Sequence, residues 1–238
     1  MDAPVSYNLS AHLAELRHAY GELEGLGLLR ALLTGPLAGR VACVSSFGSE
    51  SAVLLDMVAS VDRGTPVIFL ETGKLFPETL EYQRSLCAVL GLTDVRIVRP
   101  DADDLARHDP DGRLHAVEPD LCCHIRKTEP LERALHGFAA WITGRKRFQG
   151  GARLALPTIE GDPATGMVKL NPLANWSADD LRHYRRLRQL PLHPLVVKGY
   201  PSIGCAPCTR PVGEGEDPRA GRWWGLDKTE CGIHGAGI

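Results

Sequence analysis

Leu9, Leu13, Leu16, Tyr20 and Leu23 recur at helical spacing behind Ser10, a pattern that predicts an N-terminal amphipathic helix capped by the serine. From Arg40 the period shortens. Residues 41–47 form an apolar, β-branched run that predicts a strand; residues 48–51 turn, and 52–61 read as a helix. A second strand at 66–70 leads through the loop Glu71-Thr72-Gly73-Lys74 into a helix over 77–90, and a third strand follows at 95–98. A helix from Cys122 or Cys123 to about Leu135 precedes a fourth strand at 139–143, and 167–170 reads as a fifth or edge strand. Ser177 with Asp180 resembles a capping box that opens a helix through Leu187. Strands alternating with helices predict an α/β fold, a mostly parallel twisted sheet flanked by helices on both faces. Ligands of such sheets gather beyond the carboxyl ends of the strands. Three of those ends carry polar loops, at 45–51, 71–74 and 143–147, and these are expected to converge.

After Pro191 the periodicity fails. The stretch 213–238 is rich in Gly and charge, for which disorder is the default, yet it holds Arg219, Arg222, Trp223, Trp224, Cys231 and His234. Tryptophans beside a cysteine are costly in a free end, so the segment is expected to be a mobile lid that docks. The domain reading is therefore one α/β unit over 1–208 and a flexible C-terminal segment over 209–238.

With 238 residues, 44% of them hydrophobic, one substantial core is expected. A formal charge of −2 gives no global field for nucleic acid. Basic residues do cluster, at 145–147, at 182–188, and as Arg210, Arg219 and Arg222, and a solvated face is the default for each cluster. The start lacks a basic segment followed by an apolar core, and no apolar run reaches the roughly 18 residues of a membrane span. A cytoplasmic protein with reduced thiols is the expectation.

Against that background the seven cysteines carry the most information. Four stand as Cys122-Cys123 and Cys205-Ala-Pro-Cys208, and Cys231 lies in Glu230-Cys-Gly-Ile-His234. Four thiolates suit an iron–sulfur cluster or a tetrahedral zinc. Neighbouring helical residues point about 100° apart. Two adjacent sulfurs therefore strain a single Zn²⁺ but reach separate corners of a cubane, which favours a [4Fe-4S] cluster. A thioredoxin-like redox turn at 205–208 and structural disulfides are the competing readings; the first lacks the expected strand and helix around it, the second needs an oxidising compartment. The 45–51 loop offers hydroxyls and amides at a helix start, where anions bind. It has neither the Walker pattern nor the dinucleotide fingerprint, and ordinary capping by Ser and Gly accounts for it equally well.

Taken together, Cys122-Cys-His-Ile-Arg-Lys127 with Glu129-Pro-Leu131, Trp141 to Gly144, Ser202-Ile-Gly-Cys-Ala-Pro-Cys-Thr-Arg-Pro211, Gly221-Arg-Trp-Trp224 and the Glu230 to His234 motif closely resemble the assimilatory sulfonucleotide reductases, specifically the iron–sulfur type that acts on adenosine 5′-phosphosulfate (APS). The 45–51 loop resembles that of ATP pyrophosphatases, with Phe47 in place of its first glycine and Glu50 in place of its aspartate. The resemblance implies an adenine nucleotide alpha hydrolase-like, Rossmann-like sheet and a [4Fe-4S] cluster on Cys122, Cys123, Cys205 and Cys208. It implies that Cys231 attacks the sulfur of APS, releases AMP and is left as S-sulfocysteine, which thioredoxin or a glutaredoxin-like dithiol discharges as sulfite. Lys127, one turn beyond Cys123 on an α-helix, would offset the cluster and meet the sulfate. Arg219 and Arg222 would be lid arginines, with His234 close by. Ser45, Ser46, Phe47, Gly48, Thr72, Gly73 and Gly144 would face the nucleotide, together with Arg153 or, in its place, Arg147. A homo-oligomer is expected, and membrane or nucleic-acid partners are not. Two alternatives remain: a reductase of the 3′-phosphorylated sulfonucleotide PAPS, alone or with APS, and a zinc- or cluster-bearing binding module without turnover.

Overall fold

The computed structural model describes residues 9–162, 165–226, 228 and 230–234. Its centre is a six-stranded sheet in the order β3-β2-β1-β4-β6-β5: β1 (Val41–Val44), β2 (Val67–Leu70), β3 (Val95–Val98), β4 (Ala140–Ile142), β5 (Ile159–Asp162) and β6 (Met167–Leu170). Every pairing is parallel except β5 with β6. The segment 167–170, expected as a fifth or an edge strand, is a strand but an interior one, and the edge is β5, whose Ile-Glu-Gly-Asp sequence offers one apolar residue and no alternation to read. Cys43 lies opposite Val67 in β2 and Ile142 in β4, so the strand order reverses between β1 and β4. That reversal is where α/β sheets open a crevice at the strands' carboxyl ends.

On one face lie α1 (Leu9–Tyr20), α2 (Gly25–Leu33), α3 (Ser51–Val61), α4 (Pro77–Leu90) and α9 (Ala178–Leu187), over a core that includes Leu28, Leu32, Leu55, Met57, Phe69 and Leu86. Ser10 lies within α1 instead of capping it. α4 starts with Pro77 and stops at Gly91, which takes φ of +66°, the left-handed conformation that ends helices without a Cβ penalty. In α9 the Ser177 hydroxyl accepts from the Asp180 amide while the Asp180 carboxylate accepts from the Ser177 amide, the capping box the sequence predicts.

The other face carries a smaller core of Ala42, Ile68 and Trp141, covered by Leu131 and Leu135 and touched by Ile233 of the tail. The short helices α5 (Ala102–His108), α6 (Leu114–Val117) and α7 (Pro119–Cys123) lead to it. The predicted helix from the cysteine pair to Leu135 is interrupted: α7 passes into a π-helical segment, His124–Thr128, before α8 (Glu129–Leu135). A π-helix bonds i to i+5, so each residue sweeps a smaller angle than in an α-helix, and such segments recur at functional sites. No helix among the described residues is long and apolar enough to cross a membrane.

Candidate functional site

All three loops meet in one cavity of about 250 Å³ at the switch point. Ser45, Ser46, Gly48, Thr72, Gly144 and Arg153 line it, as expected. Phe47 and Gly73 do not. The Phe47 ring is fully buried, packing edge-on to Phe69 at 5.1 Å, while its amide donates to Ser45 Oγ at 3.2 Å. Its φ of +48° is unusual for a bulky residue, and it turns the chain so that Ser46 faces outward as Phe47 plugs the core. Gly73 lies on the far side of the loop, its amide donating to Glu71 Oε1 and its Cα turned toward Arg126. Arg147, the alternative to Arg153, donates to the Leu156 carbonyl instead.

Cys122, Cys123, Cys205 and Cys208 line a second, smaller cavity. Lys127, Cys205, Arg222 and Trp223 belong to both, forming a shared wall. The loop after β2 is zipped onto Cys205: Thr72 Oγ1 lies 3.3 Å from its sulfur, Leu75 bridges it, and the Ala206 amide donates to the Lys74 carbonyl at 2.7 Å. Burial would discharge the Lys127 ammonium, but the thiolates of Cys205, Cys231 and Cys123 outweigh it and hold the lysine above its ordinary pKa. Reciprocally, burial pushes Cys205 up, and Lys127, Thr72 and Arg222 more than reverse this, so its thiol falls below the ordinary range. Cys122, with burial and the adjacent Cys123 acting together, is pushed up to about 11. Behind this wall Arg126 pairs with buried Asp109 at 2.5 Å and donates to the Thr72 carbonyl at 2.7 Å, its Nε without a hydrogen-bond partner among the described residues.

Among the described residues no group of three or more His, Cys, Asp or Glu side chains closes around a point as a single metal ion requires. Cys122, Cys123, Cys205 and Cys208 line one small cavity bordered by Arg126, Lys127 and Arg222. Soft sulfur donors beside cations are the donor chemistry that a thiolate-ligated anionic group asks of a protein.

The described part of the tail docks. Thr209 bridges Arg222, the Trp223 amide donates to the Cys208 carbonyl at 2.9 Å, and Trp223 is buried with Arg222 stacked 4.4 Å over its ring. Gly204 makes room for that arginine: a Cβ there would come within 2.7 Å of the guanidinium carbon. Glu230 accepts from Arg153 through both oxygens, at 2.6 and 2.8 Å, and lies 3.5 Å from Arg219. His234 stacks on Trp141 at 5.7 Å; burial and the flanking Arg145 and Arg153 push its pKa well down, so its ring is neutral. Cys231, His234, Lys127, Arg219 and Arg222 thus all face the cavity that holds the three loops.

Arg145 and Lys146 lie in the strand-end loop at 143–147 that the sequence expects at the site, and they line the cavity. The default of a solvated face does not hold for them, because both are buried: Arg145 pairs with Glu160 and Asn171, and Lys146 with Glu50 at 2.6 Å. For 182–188 the solvated reading holds, apart from Arg188, which pairs with buried Asp56.

A mostly parallel sheet with a cavity at its switch point, bordered by cations and the Cys231 thiol, defines an α/β protein of the kind that binds its ligand beyond the strand ends. The chain belongs to the phosphoadenosine phosphosulfate reductase domain family, whose model matches residues 40–211. It is 49% identical over 230 residues to the adenosine 5′-phosphosulfate reductase of Mesorhizobium japonicum, covering 97% of this chain and 90% of the relative. The phosphoadenylyl-sulfate reductase of Candida auris, solved as a phosphate complex, superposes with a TM-score of 0.70 at 29% identity, covering 88% of this chain and all of that one. The FMN adenylyltransferase of Candida glabrata shares the fold alone, with a TM-score of 0.57 at 15% identity over 92% of this chain and 74% of its own.

Proposed function

We propose that this protein is an oxidoreductase that converts APS to sulfite and AMP, with a dithiol protein such as thioredoxin as reductant. The observation that carries the reading is the placement of Cys231 in the cavity bordered by the three strand-end loops, with Lys127 between it and the four-cysteine wall. The 45–51 loop, Thr72 and Gly144 would seat the adenylyl group. Cys231 Sγ would attack the sulfur of APS; the bond from that sulfur to the phosphate oxygen would break, and AMP would leave with the electron pair. Lys127, Arg219 and Arg222 would hold the negative charge that builds on the departing oxygens. The reductant's thiolate would then attack Cys231 Sγ, expel sulfite and form a mixed disulfide. Its second thiol would resolve that bond, so two electrons from the dithiol reduce sulfur(VI) to sulfur(IV).

Cys122, Cys123, Cys205 and Cys208 would hold a [4Fe-4S] cluster, which when bound supplies a fixed formal charge of about −2 at its thiolates. Lys127 is then kept protonated by the thiolates around it and presents its charge to the substrate. Relatives include reductases of either sulfonucleotide, such as the APS enzyme of Mesorhizobium japonicum and the phosphoadenosine 5′-phosphosulfate enzyme of Gloeobacter violaceus, 44% identical over 198 residues. The resemblance of the cysteine quartet to the iron–sulfur type, together with the 49% identity to an APS reductase, favours APS. A competition assay with both nucleotides and thioredoxin tests it: preferential loss of APS with equimolar AMP and sulfite supports the reading, and preferential loss of PAPS contradicts it.

A further inference from the structure

Glu230 immediately precedes Cys231 and places a carboxylate where an anionic substrate needs cations. Both its oxygens are engaged fork to fork by Arg153, and Arg219 closes on Oε1 from another side. The Arg153 and Glu230 side chains are only 11% and 12% exposed, and all three residues line the cavity. A guanidinium fork offers this geometry equally to carboxylate, phosphate and sulfate oxygens. The cavity's other paired cations are held differently. Arg145 is held by Glu160 of β5 and Lys146 by Glu50, the N-cap residue of α3, so each acid is anchored at the sheet or at a helix end. Glu230 lies outside every helix and strand, so it can part from Arg153 by a turn of the tail alone.

We propose that Glu230 is an internal ligand of an anion subsite made by Arg153 and Arg219, and that the incoming phosphosulfate displaces it. This rests on reading the cavity as a sulfonucleotide site. The exchange trades one ion pair for another and makes or breaks no covalent bond. It also ties the arrival of the anion to movement of the residue next to the nucleophile, which makes Glu230 a positioning residue. The apparent affinity for an anion is lowered in proportion to the fraction of molecules whose subsite is already filled, by about tenfold if Glu230 holds it nine-tenths of the time.

The test uses the cluster-loaded protein and inorganic sulfate as probe, followed by fluorescence of Trp223, which lies 4.4 Å from Arg222 and 5.9 Å from Arg219. Glu230→Gln should bind sulfate about three- to tenfold more tightly than the parent, by the same population argument. Glu230→Asp, which keeps the charge, should not. Arg153→Gln should weaken binding, and adding Glu230→Gln to it should tighten binding less than Glu230→Gln does in the parent, since the Arg153 pair is then gone and the Arg219 contact to Glu230 remains. In the unmodified protein, saturating sulfate should speed amide exchange in 230–234, a readout that needs no variant to fold. Equal or weaker sulfate binding by Glu230→Gln, or unchanged exchange in the parent, overturns the proposal. Tighter sulfate binding in a protein that fails to reduce APS would refute the assigned reaction and retain the subsite; APS reduction with unaltered sulfate affinity would do the reverse.

Discussion

Of the side chains that line both cavities, Lys127 is the one that carries a charge out of the cysteine pair's own helical segment. It is half-buried, it faces Cys205, Cys123 and Cys231, and it borders the larger cavity. Replacing it with alanine removes charge from the reaction site and leaves both apolar cores untouched. Lys127→Ala should therefore lower the turnover rate by about 10²-fold or more, the scale of losing one preorganised electrostatic contact, while its thermal midpoint stays within a few degrees of the parent. Parallel steady-state kinetics and thermal melts check this; parental kinetics would discard the electrostatic account. Lys127 was legible from the cysteine pair, but the path to it was not. An α-helical turn from Cys123 is the obvious route, and the chain uses a π-helical segment instead, for which residues 124–128 carry no sequence signature. Arg153 was legible as a candidate, but its partner Glu230 was not, because the pairing spans 77 residues and no local period encodes it.

Among the elements, α4 and β3 fall at the boundaries the sequence predicts, because Pro77, Gly91 and the β-branched run at 95–98 mark them chemically. The helix α2 went unread. Its sequence Gly-Leu-Gly-Leu-Leu-Arg-Ala-Leu-Leu is apolar nearly all round, so no polar face reveals a period, and Leu28, Leu29 and Leu32 are indeed fully buried. At the amino end of α4, Thr79 borders the substrate cavity and lies 3.1 Å from His193 Nε2, while His193 Nδ1 accepts from the Leu195 amide at 3.1 Å. Burial lowers the pKa of His193 to about 4. The folded state thus takes up this proton at lower pH than the unfolded chain, whose histidine titrates near 6.5. The contribution is fully present above about pH 6.5 and is lost as pH falls toward 4. Denaturant unfolding of the parent and of His193→Asn at pH 7 and pH 4.5 should show that the parent loses more stability on acidification. An equal loss in both would remove His193 from the account.

In the whole molecule, the tail and the sheet form one site. Ile233 joins the second core, His234 stacks on Trp141 and Trp223 is buried against the Cys208 loop, so the terminal motif is packed into the fold that it serves. That unity was legible as motifs, since Trp223, Cys231 and His234 stood out in an otherwise polar segment; the order of the sheet and its antiparallel edge came only with the structure. The two cavities share a wall that includes Cys205; all four of the quartet line one and Cys231 lines the other. Protein purified without oxygen should contain about four iron and four sulfide, the composition of one cubane, and lose both when Cys122, Cys123, Cys205 or Cys208 becomes serine; stoichiometric zinc without sulfide would contradict the assignment. Cys231→Ser should keep the cluster spectrum while AMP release falls by orders of magnitude, because a serine hydroxyl is a far poorer nucleophile at neutral pH. The central claim, that Cys231 is the atom to which sulfur is transferred, is tested most directly by mass spectrometry of the unmodified protein incubated with APS and no reductant. The account predicts an adduct equal to one SO₃ group, mapped to Cys231 and discharged by added dithiol; an adduct on any other cysteine, or full turnover by Cys231→Ser, would contradict it.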